Sequence, residues 1–215
     1  MAAESLSEQM LRENAQCFEE MVNHRFVRDI RQNRLSRAVF DRYLVYEGAF
    51  VDTAISIFAY AAAKAETIAQ KRWLISVLDA LANQQVRYFE KTFAARGLDP
   101  RVFNMSQPGV AAFQNGMLDF ARDGEFLDII AAMFAAEWMY WTWSAKATSC
   151  EIEDSLLKEW VDLHVREDFA AQAQWLKHQL DDAGEALDVG QRARLSGIFG
   201  QVQRLEVEFH TAPYL

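Results

Sequence analysis

The sequence is short of everything that interrupts a helix. It holds three prolines and nine glycines in 215 residues. That scarcity, beside abundant Ala, Leu, Glu, Gln and Arg, favours helices throughout. No stretch alternates apolar and polar residues in the manner of a strand. Cysteine is also scarce. Cys17 and Cys150 are the only two, too few for a disulfide framework and not spaced as a CxxC metal pair. One Cys17–Cys150 bridge stays open beside two reduced thiols. Basic charge is in deficit, with 22 Lys and Arg against 31 Asp and Glu, a net charge of −9 and a pI near 5.0. No basic footprint for nucleic acid follows from that balance. The apolar run IIAAMFAAEWMYWTWSA, Ile129 to Ala145, is too short to span a bilayer comfortably and carries Glu137. The opening MAAESLSEQM is polar and acidic, where a signal peptide would be basic and then apolar. We therefore expect a cytoplasmic protein with no nucleic-acid or membrane partner. Gly-rich phosphate loops, nucleophile elbows, zinc motifs, internal repeats and low-complexity segments are all missing.

What is present is helical periodicity over almost the whole chain. Ser5-Leu6-Ser7-Glu8 reads as a capping box opening a helix that continues to about His24, with Phe26, Val27 and Ile30 as a short continuation. Gln32-Asn33-Arg34 is a break. Ser36 starts a long helix to about Lys64. Glu66 to Arg96 is the next, stopped by Gly97 in the position that helix ends favour. Leu98 to Pro108 is the longest expected loop. A helix to Arg122 ends in the turn Asp123-Gly124. Further helices are expected from Glu125 to Thr148, from Ser155 to Asp182, and from Asp188 to His210. These about seven helices predict an all-α fold, one helical bundle forming a single domain over residues 1–215.

Three carboxylates sit within apolar helix faces. Glu137 is the only charged side chain between Ile129 and Ala145, among Trp138, Trp141 and Trp143. A helix apolar on every face is a buried helix, and a carboxylate inside it must be paired, protonated or hydrogen-bonded. Glu47 has Tyr43 and Phe50 on its face, at i−4 and i+3. Glu206 has Val202, Phe209 and His210 on its own. Facing helices of a bundle project such residues into a common cavity. Carboxylates gathered among aromatic rings have raised or split pKa values and suit acid/base chemistry. They also suit a flat heterocycle with an amino group, since a carboxylate accepts from N–H while rings stack on the heterocycle. Plainer readings stand beside these. Glu47 fits a surface pair with an arginine as well as it fits a ligand contact. Glu137 fits a buried ion pair. Arg204 and Glu208 read the Glu206 helix as partly exposed, and tryptophans are more often core than pocket wall. The pairs Glu20/His24, His164/Asp168 and Glu206/His210 have metal-ligand spacing. The doubled Glu-x-x-His pattern of di-iron bundles is missing, so no metal and no cofactor is expected.

Several stretches in order resemble one family. They are His24-x-Phe26-Val27-x-x-Ile30 with Leu35, Phe40, Tyr43-Leu44 and Glu47; Glu90-Lys91-Thr92-Phe93-Ala94-Ala95-Arg96-Gly97; Ile129-Ile130-Ala131-Ala132-Met133 with Trp138-x-Tyr140; Glu159-Trp160; and Leu205-Glu206-x-x-Phe209. The ordered set resembles the TenA (thiaminase II) family. The resemblance implies a haem-oxygenase-like fold, a homodimer or homotetramer, no haem or metal, and hydrolysis of an aminopyrimidine in thiamine salvage. By position it implies that Glu47 holds the pyrimidine amino group and that Glu206 is the acid/base glutamate. Tyr43, Phe50, Phe113, Tyr140 and His164 fall at ligand contacts, His164 where a tyrosine is usual. The better-known branch keeps a catalytic cysteine in the central helix. Ala136 stands there in this chain, with Glu137 beside it. The chain thus resembles the cysteine-lacking branch, in which a glutamate replaces the thiol and water attacks the ring. An oxidase on the same fold, of the kind that makes the quinone PQQ or uses two irons, and a non-catalytic pyrimidine-binding or regulatory protein are the alternatives.

Overall fold

Helix ends in this chain sit where side chains satisfy or stop the backbone. The computed structural model describes residues 4–215. Ser5 opens α1 (Leu6–Glu13) with the full capping box, its hydroxyl accepting from the Glu8 amide while the Glu8 carboxylate accepts from the Ser5 amide. α2 (Ala15–Val22) follows after Asn14. His24 caps α3 (Arg25–Arg31), its Nδ1 accepting from the Phe26 amide at 3.2 Å. Asn33 then turns the chain with a left-handed φ of 52°. Ser36 caps α4 (Arg37–Lys64), and Thr67 with Gln70 forms a second capping box on α5 (Ile68–Asp79). A π-helical segment, Ala80–Gln85, leads into α6 (Val86–Arg96), which Gly97 ends at φ 68°. A 3₁₀ turn, Pro100–Val102, precedes α7 (Pro108–Asp123). Then come α8 (Phe126–Ala147), α9 (Ser155–Leu163), α10 (Glu167–Gly184) and α11 (Val189–Thr211). No strand occurs among the described residues.

The all-α expectation holds, with more segments than the about seven read from periodicity. The expected helix from Ser5 to His24 is cut at Asn14. The Asn14 backbone leaves helical geometry (φ −109°, ψ 19°), and the Asn14 side-chain amide donates to the Met10 and Ser196 carbonyls. The expected helix from Ser155 to Asp182 is cut at His164–Arg166, where Arg166 is extended (ψ 156°). The expected break at Asp182-Ala183-Gly184 is met within two residues, because α10 ends at Gly184. Gly184 is there for close approach: a Cβ on it would lie 2.8 Å from the Leu6 Cβ. Both cysteines are free.

The chain gathers into two compact units, one comprising the described residues up to Leu35 with Ile130–Val207, the other Ser36–Ile129 with Glu208–Leu215. In the first unit α1 is tied to α10, because the Ser7 amide and hydroxyl both donate to Asp181, at 2.8 and 3.0 Å. Aromatic pairs fill its core, among them Phe134–Phe199 and Trp143–Trp160. In the second unit α4 packs against α5, α6 and α7. Gly48 lets α6 come close, since a Cβ there would lie 2.7 Å from the Phe93 ring. Arg96 is buried, bonds Asp41 at 2.9 Å and lies 4.8 Å over the Phe40 ring. Length and composition alone would let α4 cross a membrane, yet 56% of its apolar window is buried inside the protein.

Candidate active site

α8 presents its small and aromatic side chains inward but is not buried all round. Met133, Phe134, Ala136, Glu137, Tyr140, Trp143 and Ser144 are buried, while Trp138, Trp141 and Thr142 are half-buried and Ala145 and Lys146 exposed. The expectation of a helix buried on every face is corrected by this stripe. Trp138 and Trp141 cover each other edge-to-face at 4.9 Å. Ala136 and Glu137 are both buried. Residue 136 is 5% exposed and residue 137 is 7% exposed.

Among the described residues Glu137 meets no cation. Its Oε1 accepts from the Gln172 side-chain amide of α10 at 2.5 Å. Its Oε2 has no hydrogen-bond partner among the described residues. Loss of water pushes its pKa up to about 8, against the opposing hydrogen bond from Gln172. The buried ion pair weighed for this residue is therefore not what holds it. At neutral pH Glu137 is a carboxylic acid with a proton to give.

Glu206 is fully buried. Arg204 and Glu208 are exposed, so α11 is partly exposed as read, while Val202, Gln203, Glu206, Phe209 and His210 are buried. Spacing of three and four residues puts the five on one stripe of α11. Burial raises the Glu206 pKa well above the ordinary carboxylate value. One turn before it, Gln203 is fully buried and donates from its amide to the Ala135 carbonyl of α8 at 2.7 Å.

Also in the first unit, His164 stacks on Tyr140 with ring centroids 5.0 Å apart and planes 23° apart. Trp160 and Phe169 complete its surroundings at 4.4 and 4.9 Å. His164 Nδ1 lies 2.8 Å from the Trp160 carbonyl. A carbonyl only accepts, so Nδ1 carries a proton. The second unit holds the other group. The Tyr43 hydroxyl donates to Glu47 Oε2 at 3.3 Å, a long bond between two buried side chains. Phe50 packs on Phe113 at 4.6 Å, and Phe113 on Phe209 at 4.7 Å. Tyr43 packs on Phe209 at 5.8 Å and on His210 at 5.4 Å.

The site residues read from the sequence thus fall into two sets. Glu137, Glu206, Tyr140 and His164 lie in the first unit. Tyr43, Glu47, Phe50 and Phe113 lie in the second. The i, i+4 spacing of Tyr43 and Glu47 was a sufficient signal for their bond. Gln172 and Gln203 escaped the sequence reading, since a glutamine on a helix carries no periodic signature; Trp160 entered it only through the resemblance. His24, read as one of a metal-spaced pair, serves as a helix cap. Among the described residues no three His, Cys, Asp or Glu side chains gather as metal ligands would. An open cleft of about 330 Å³ on α9, lined by Ser155, Lys158, Glu159, Asp162, Leu163 and Arg166, is bordered by none of these residues.

Comparison with known proteins adds a framework. The profile of the TENA/THI-4/PQQC family matches residues 12–215. A curated relative, the aminopyrimidine aminohydrolase of Halalkalibacterium halodurans, is 26% identical over 197 residues, covering 89% of this chain and 88% of that one. Among solved structures, a TenA homologue from Pyrococcus furiosus superposes with a TM-score of 0.90 at 20% identity, over 97% of this chain and 100% of its own. A protein described as a TenA family transcription regulator, from a Silicibacter species, superposes with a TM-score of 0.88 at 22% identity, over 97% and 96%. These likenesses support the all-helical fold.

Proposed function

The chain belongs to the TENA/THI-4/PQQC family, and on that premise we propose that it hydrolyses a C–N bond of an aminopyrimidine. The substrate class is a 4-aminopyrimidine or formylamino-pyrimidine breakdown product of thiamine. The relative named an aminopyrimidine aminohydrolase supports the reading. The observation that carries it is a pair of buried carboxyls, Glu137 and Glu206, both held toward the neutral form by burial.

Chemically, water adds to the carbon that bears the leaving nitrogen, the C–N bond breaks, and that nitrogen departs with an added proton. One group must accept a proton from water and another must supply one to the nitrogen. Glu137 is neutral below about pH 8 and is the donor. Glu206, once ionised, is a stronger base than an exposed carboxylate for the same reason that its pKa is raised. No thiol is needed. Ala136 stands where the better-known branch of the family has its cysteine, and Cys150 is three residues past the end of α8. Whole thiamine is accordingly a poorer substrate than a broken-down pyrimidine. In the second unit Glu47 and Tyr43 suit an exocyclic amino group, and Phe50 and Phe113 suit a ring; in the first unit Tyr140 and His164 suit a ring. The test is direct assay of the released amine from aminopyrimidine and formylamino-pyrimidine substrates, with intact thiamine alongside. Release from the pyrimidines supports the reading. Ligand binding without any turnover would contradict it and favour a regulatory role.

A further inference from the structure

Glu137 has two oxygens in unlike surroundings. Oε1 accepts from the Gln172 amide at 2.5 Å, and Oε2 has no partner among the described residues. An amide N–H only donates, so it competes with a proton for Oε1 and not for Oε2. We propose that Gln172 is a positioning residue for Glu137, reserving Oε1 as a fixed acceptor so that the proton enters and leaves at Oε2 alone. The proposal rests on reading Glu137 as a proton-transfer group.

The geometry favours a fixed arrangement. Both partners belong to the first unit, on α8 and α10. Glu137 is buried and Gln172 partly so. A carboxyl that delivers a proton to one bond must present one oxygen in one direction, and an immobile hydrogen bond on the other oxygen achieves that. No charged side chain is needed to tune it. The causes acting on Glu137 are burial, upward, and the Gln172 bond, downward. The nearest charged groups along α10 lie at its first turn, where Asp168 is 71% exposed. The other buried carboxyl of this unit, Glu206, owes its shift to burial.

The experiment is an infrared pH titration of the buried carboxylic acid in the folded protein. Its C=O band is identified by disappearance in Glu137→Gln. In Gln172→Met the chain length is kept and the donor is lost. We expect the band to move to higher frequency, and Glu137 to become a roughly tenfold weaker acid, as loss of a hydrogen bond to a charged group implies. Gln172→Glu, which donates again when protonated, returns the band toward its wild-type position on the acid side of the titration. Both variants are checked for helical content and cooperative unfolding, and either one alone decides the matter. An unchanged band and midpoint in Gln172→Met, or no return in Gln172→Glu, overturns the proposal. The readout requires no turnover, so it is separable from the proposed function, which fails instead if Glu137→Gln keeps full activity.

Discussion

A carboxyl group taken out of water keeps its proton longer, and at the residue scale this governs Glu137 and Glu206. Glu137 ionises at about 8 in the folded chain and near 4.5 when exposed. The folded state therefore binds the extra proton between those values. Its stabilising effect is complete below about pH 4.5 and is lost as pH rises through about 8. Urea unfolding of wild type should show stability falling over that window by on the order of a few kcal/mol. Glu137→Gln, which cannot ionise, should make the fall shallower and leave the share of Glu206. An equally steep fall in the variant would remove Glu137 as its source. Glu137 was legible in the sequence because one charge stood alone in a run of seventeen residues that are otherwise apolar or weakly polar. The burial of Glu206 was masked by exposed neighbours, and its partner face became visible only once α11 had a direction.

At the scale of elements, the chain reads well wherever one residue carries the signal. The Ser5–Glu8 box, the Ser36 cap and the Gly97 stop all formed as their chemistry dictates. Gly97 is a clean case, because a Cβ there would meet nothing within 4 Å and the only cost of a side chain is its positive φ. Gly97→Ala should cost about 1 kcal/mol, read from the urea midpoint at unchanged slope. Ser36→Ala should cost a similar amount, about 1 kcal/mol, through the lost bond to the Val39 amide. An effect near zero in either would mean that tertiary packing alone sets those helix ends. The breaks that were not legible depend on distant partners. Asn14 ends a turn because its side chain reaches Ser196, 182 residues away. Gly184, the last residue of α10, leaves room for Leu6, whose Cβ would lie 2.8 Å from a Cβ there. Neither fact is local, so periodicity could not supply it.

At the scale of the whole molecule, charge and ligand linkage give the tests. A net charge of −9 leaves little attraction for a polyanion. Fluorescence anisotropy with duplex DNA near physiological salt should show no binding; saturable, salt-sensitive binding would favour a regulator over a hydrolase. A pyrimidine ligand at about one hundred times its Kd should add roughly 2.7 kcal/mol, raising Tm by roughly 2–4 °C for a chain of this size. Glu47→Ala should abolish that shift. The central claim is that carboxylates, not a thiol, perform the hydrolysis. It is met most directly by the rate of amine release from an aminopyrimidine for wild type against Glu206→Gln, with the variant shown to be folded. The account predicts a loss of roughly a hundredfold or more. A folded Glu206→Gln protein that turns over at the wild-type rate would contradict it.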